Sequence, residues 1–152
     1  MTHLIKKLID HMYWANNRTW NALQQTPDPK GIQLFSHIVT AEDIYFERML
    51  GNDPWPQDFW PELSLEECNR LMKENFKKYH RFLITSPDEG LHQKVRYRNT
   101  KGDVHHSSPA DMMVHLSLHG EHHRTQITQI IRNRGGNPPL TDYIAFTRGN
   151  NQ

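Results

Sequence analysis

Ser108–Gly135, SPADMMVHLSLHGEHHRTQITQIIRNRG, reads as one long helix, and the rest of the chain is arranged around it. Ser108 can cap the first free backbone N–H groups, Pro109 suits the first helical position, and Asp111 favours the positive helix end. Gly135 and Gly136 stop the helix, with Arg132 and Arg134 near its negative end. At 100° per residue, Met112, Leu116, Ile127 and Ile130 define one apolar face. His119 and His123 fall in the middle of that face, one turn apart. His115 and His122 lie on its flank, about 60–100° from the centre. Two imidazoles at i and i+4 can aim their ring nitrogens at one point, the helical geometry that HExxH zinc sites also use. The other reading is a pair of core histidines satisfied by carbonyls or water. A metal site needs at least one further ligand from elsewhere in the chain.

The 152 residues are the length of one domain, expected to span 1–152, and long enough to bury a real core. A formal charge of +1 gives no electrostatic reason to expect a nucleic-acid or membrane partner. One cysteine, Cys68, excludes an internal disulfide framework and suits a reducing compartment. With no signal peptide and no apolar run able to span a bilayer, the expected location is the cytoplasm. Eleven histidines and two Trp–Pro steps, Trp55–Pro56 and Trp60–Pro61, are the unusual features.

Upstream, residues 2–25 read as a first helix with Thr2 as its cap and Leu4, Leu8, Ala15 and Ala22 on one face. His11 shares that face and is a rival or additional ligand. Thr26–Pro27–Asp28–Pro29 breaks the chain. A second helix runs from about Gly31 to Leu50, with Gly51 as a left-handed stop and Leu34, Ile38, Ala41, Tyr45 and Met49 as its stripe. His37 sits on the edge of this stripe, where a side chain can reach a neighbouring helix or simply bond a carbonyl. Glu42, Glu47 and Arg48 read as surface pairs on that helix.

Asn52–Leu63 is a Pro- and Trp-rich loop whose aromatics either roof the bundle or meet a partner subunit. Ser64 and Glu67 form a capping box for a third helix that ends near Ile84, with Cys68, Met72, Phe76, Tyr79 and Leu83 on its apolar side. Cys68 reads as a core filler and His80 as a surface residue. Lys94–Arg98 and Val104–His106 form a two-stranded ribbon around a Gly turn, with Lys94, Arg96 and Arg98 on a solvated face. A short helix around Thr141–Arg148 closes the chain, with Tyr143, Ile144 and Phe146 packing back. Four long amphipathic helices with a long crossover make an all-α four-helix bundle, whose core is a common place for metal sites.

Several segments, taken in order, resemble the DinB/YfiT-like superfamily of bacterial metalloproteins. Trp14-Ala15-Asn16 followed by Arg18 is similar to its WAN-x-R signature. His37-Ile38-Val39-Thr40-Ala41-Glu42 with Arg48 and Gly51 resembles its second-helix histidine block. His115-x3-His119-Gly-Glu-His122-His123-Arg124-x-Gln126 resembles its H-x-x-x-H-x-x-HHRGQ segment, with Thr125 where Gly is usual. Gly135/Gly136-x-Pro138-Pro139-x2-Asp142-Tyr143-Ile144 resembles its tail.

The resemblance implies an up-down-down-up bundle, a homodimer, and a divalent metal held by His37, His119 and His123. His115–His119 has the same spacing and is the competing pair. Zinc and nickel suit imidazole, and iron is compatible with it. Characterised relatives include transferases that use low-molecular-weight thiols such as bacillithiol, and a mycothiol-dependent isomerase. They imply a small-molecule thiol substrate and metal-dependent S-transfer. A metal-dependent hydrolase and a non-enzymatic metal-binding stress protein or carrier are the alternatives. Glu42 and Glu121 are candidates for a general base or for orienting a ligand, and Gln126, a Tyr or backbone carbonyls for holding the outer imidazole nitrogens.

Overall fold

The structure, a computed structural model that describes residues 2–149, carries the elements α1 (Thr2–Gln25), α2 (Pro29–Met49), α3 (Leu65–Thr85), α4 (Asp88–His92), β1 (Val95–Arg98), β2 (Val104–Ser107), α5 (Pro109–Asn133) and α6 (Tyr143–Thr147). The ends of the expected 1–152 span, Met1 and 150–152, lie outside the described residues. Local chemistry sets the helix starts. Asp28 accepts from the backbone N–H groups of Lys30 and Gly31, so α2 begins at Pro29, two residues before the expected Gly31. Ser64 and Glu67 close a reciprocal capping box, and the Ser108 hydroxyl accepts from Asp111 N–H. Gly51 and Gly135 take positive φ just past α2 and α5.

Two core layers fix the helix directions. One joins Ile5, Ile9 and Met12 of α1 to Phe46 and Met49 of α2, Tyr79 and Leu83 of α3, and Met112, Met113 and Leu116 of α5. The other joins Leu23 to Leu34 and Phe35, to Cys68 and Met72, and to Ile127 and Ile131. The starts of α1 and α5 therefore share one end of the bundle with the finishes of α2 and α3, which is the up-down-down-up order. Because α2 and α3 run the same way, the chain from Leu50 to Ser64 must travel back along the bundle for about 30 Å. On that return it passes His37, and this path builds half of the candidate site.

Some expected faces are rotated. In α1 the line at the centre is Ile5, Ile9, Met12, Asn16, Thr19 and Leu23, while Leu4 is 53% exposed. Two apolar series one residue apart compete on this helix, and the bulkier Ile–Ile–Met series takes the core. Beyond its first two residues, Pro109 and Ala110, the buried residues of α5 are Met112, Met113, Leu116, Ser117, Gly120, Arg124, Ile127 and Ile131. His119 and His123 thus lie about 60–100° from the centre of the buried face rather than on it, and Ile130 is half-buried. The burial of Gly120 and Arg124, invisible to an apolar count, causes this shift.

The ribbon forms as expected, with Val95 paired to Ser107 and Arg98 to Val104. Its basic face is less solvated than the alternation suggests. Arg98 donates from Nε to Asp53 at 2.7 Å and lies over Trp55, which pins β1 to the α2–α3 loop. The short α4, not anticipated from sequence, inserts the fully buried Leu91 under α5. In α6 the buried residue is Ala145, and Ile144 is 56% exposed.

Candidate metal centre

His37, His119 and His123 each present a ring nitrogen to one spot at the α2–α5 seam, with all three nitrogens within 4.8 Å of one another. The His37 and His119 Nε2 atoms are 2.9 Å apart. Imidazole–zinc bonds of about 2.0–2.1 Å at tetrahedral angles would set neighbouring nitrogens about 3.3 Å apart, so the three rings are within reach of a common ion. His37 is buried, and His119 and His123 are half-buried beside it.

The outer ring nitrogens explain the orientation of two of these rings. His37 donates from Nδ1 to the Phe59 carbonyl at 2.7 Å, because a carbonyl oxygen can only accept. His123 donates from Nδ1 to Gln126 Oε1 at 2.7 Å. Both bonds put the proton on Nδ1 and leave Nε2 as a bare lone pair facing inward, the form a metal ligand needs. Trp60 stacks flat on His37, with ring centroids 3.7 Å apart and planes 1° apart, and meets His123 edge-on. The Ser36 hydroxyl donates to the Pro61 carbonyl and fastens the same loop to α2. The loop aromatics therefore roof the bundle at its histidines.

Burial favours the neutral form of His37 and His119. It lowers the pKa of His37 against the opposing pull of the Phe59 carbonyl. It pushes His119 down to about 3, with the neighbouring His37 and His123 rings adding to the effect. An imidazole that resists protonation keeps its lone pair available for a cation at mildly acidic pH.

The other candidates fall elsewhere. His115 is exposed, its ring 5.8 Å from His119 and 5.3 Å from Tyr45, and it is not part of the three-nitrogen group. His122 points outward beside His123. His11 bonds the Thr141 carbonyl at 2.7 Å inside a box of Trp14, Tyr143 and Phe146, where it anchors the tail to α1. An apolar stripe alone could not separate this role from ligation.

Glu42 and Arg48, read from sequence as solvated surface groups, are buried. Glu42 accepts from Asn16 Nδ2 at 2.8 Å, and burial raises its carboxyl pKa. Arg48 is enclosed by Tyr45, Phe59 and Tyr97 and donates to Gln57 and to the Arg98 carbonyl. It thereby ties the return loop and the ribbon to α2. Arg124 is wholly buried, donating to Asn16 and Glu121. Phe59 and Trp60 were missed as site residues; the Trp–Pro step was the only local signal of the loop's special role.

A family model described as the DinB family matches residues 32–152. The chain is also similar to Protein DinB of Bacillus subtilis (strain 168), 22% identical over 162 residues that cover 94% of this chain and 93% of that protein. The matched span takes in three of the four long helices, both halves of the histidine cluster and the return loop between them. On that match the chain belongs to the DinB family.

Proposed function

We propose that this chain binds one divalent metal ion through His37, His119 and His123, and that the loaded protein transfers the sulfur of a low-molecular-weight thiol to an electrophile. The observation that carries metal binding is the approach of three imidazole nitrogens within 4.8 Å, two of them stripped of their protons by outer hydrogen bonds. Three neutral nitrogens would suit zinc or nickel, and also iron, and would leave such an ion a position for a further ligand. When bound, such an ion would acidify and hold a thiol or water at that position. The chain's own part is to keep the His37 and His123 lone pairs bare, to exclude water on one side with Trp60, and to hold the rings in register. In S-transfer the sulfur bonds to an electrophilic carbon, the leaving group departs with the bonding pair, and the thiol proton passes to solvent. Attack by water in place of sulfur would make the protein a hydrolase.

A second reading, a non-enzymatic metal carrier or sensor, draws on a different observation. Glu42 is tied to Asn16, and Glu121 accepts from Arg124, so both carboxylates are engaged away from the three histidines. One titration addresses both readings. Metal-free protein should take up one equivalent of Zn2+ or Ni2+ per chain, and His119→Ala should take up none while keeping its helical signal. Metal-dependent consumption of a thiol with a model electrophile, lost in His119→Ala, would support the enzyme. Equal turnover by the variant would refute it, and stoichiometric uptake without turnover would favour the carrier.

A further inference from the structure

The α2–α5 seam does not end at the histidines. It continues toward the start of α2 as a groove of about 400 Å³, bounded by His123 and Gln126, Trp60, Leu34 and Ile130, and Lys30. That volume lies within the usual range for small-molecule pockets, about 300–1,000 Å³. Lys30 and His37 are seven residues apart on α2, nearly the same face and about 10 Å along the axis. His123 and Ile130 have the same separation on the antiparallel α5. The groove is therefore a two-turn trough with a metal-ligand candidate at one end and a cation at the other. Its floor is apolar and its lining contains no carboxylate. Lys30 Nζ donates to the neutral Gln33 Oε1 at 3.1 Å and lies 5.9 Å from the Trp60 ring. Among the described residues it has no ion-pair partner.

We propose that this trough binds an elongated small organic acid. Its carboxylate pairs with Lys30, its body of about 10 Å lies over Leu34 and Ile130 beneath Trp60, and its far end reaches the histidine cluster. Only the far end rests on the metal-binding reading; the pairing with Lys30 stands without it.

Calorimetric titration of the full zinc-treated chain tests this with 8-mercaptooctanoate against its neutral amide. The acid should bind about tenfold more tightly, the scale of one charge-assisted contact. Lys30→Gln should erase that preference while leaving zinc stoichiometry unchanged, since the Asp28 cap on α2 uses the Lys30 backbone and not its side chain. With 3-mercaptopropionate, too short to span the trough, the acid should gain nothing over its amide. Equal affinity of the long acid and amide, or a preference that survives Lys30→Gln, would overturn the proposal. If elemental analysis finds no bound zinc, the metal-binding reading fails separately, and octanoate against octanamide becomes the test. A Lys30-dependent preference for octanoate then upholds the trough, and its absence removes it.

Discussion

His123 and Gln126 sit three residues apart on one helix turn, and a single hydrogen bond between them decides which imidazole nitrogen is bare. Gln126→Leu keeps the apolar stem and removes the acceptor, so the ring is free to turn and to change tautomer. Loss of such an outer partner typically weakens metal affinity by 10–100-fold. Competition with a fluorescent zinc chelator should show a loss of about that size, with the helical signal unchanged; wild-type affinity would remove Gln126 from the site. This part of the site was readable from sequence because every residue in it lies within two turns of one helix. His37 was different. Its place on the edge of a stripe allowed either a ligand or a bonded boundary residue, and only the resemblance to a family favoured the first. Trp60 and the Phe59 carbonyl were beyond reach, since their approach to His37 depends on the path of a loop that carries no periodicity.

At the scale of the element, α5 carries the clearest departure from an apolar count. Its buried face includes Gly120 and Arg124, one turn apart, and a Cβ on residue 120 would lie 2.7 Å from Arg124 Nη1. Glycine is needed here to admit a guanidinium, not to make a turn. The guanidinium cannot swing aside freely, because it is wholly buried and donates to Asn16 and Glu121. Gly120→Ala gains about 1 kcal/mol in helix propensity. Against that, displacing Arg124 strands buried donors and acceptors at about 1–3 kcal/mol or more. Urea unfolding should therefore show a net loss of up to about 2 kcal/mol, whereas a stabilised variant would mean that Arg124 relaxes without penalty. The same network explains why the wheel of α1 was misjudged: Asn16 occupies the centre of its stripe, where a hydropathy pattern expects an apolar residue, because it links Glu42 to Arg124.

For the molecule as a whole, the histidines make metal-free stability depend on pH, and the sign can be derived. Burial lowers the pKa of His11, His37, His115 and His119 below the ordinary value of 6.5. Between 6.5 and those lower values the unfolded chain binds more protons, so their contribution is complete above 6.5 and is lost as pH falls through it. Glu42 acts in the opposite direction. Its folded pKa is raised above 4.5, so its contribution falls as pH rises through that value. Four imidazoles oppose one carboxyl between pH 4.5 and 6.5, and the melting temperature of chelator-treated protein should fall steadily on acidification across that window. His11→Phe isolates one contributor outside the candidate metal centre. Phenylalanine fills the box of Trp14, Tyr143 and Phe146 but gives up the bond to the Thr141 carbonyl, a loss of about 1 kcal/mol. The variant should therefore melt below the wild type at pH 7.5. By pH 5 the gap should narrow, because wild-type His11 must then either carry a charge in an aromatic box or let the tail go, and phenylalanine faces neither demand. A gap that stays constant from pH 7.5 to 5 would show that His11 titrates alike in the folded and unfolded chains, and that its burial against the tail carries no electrostatic penalty.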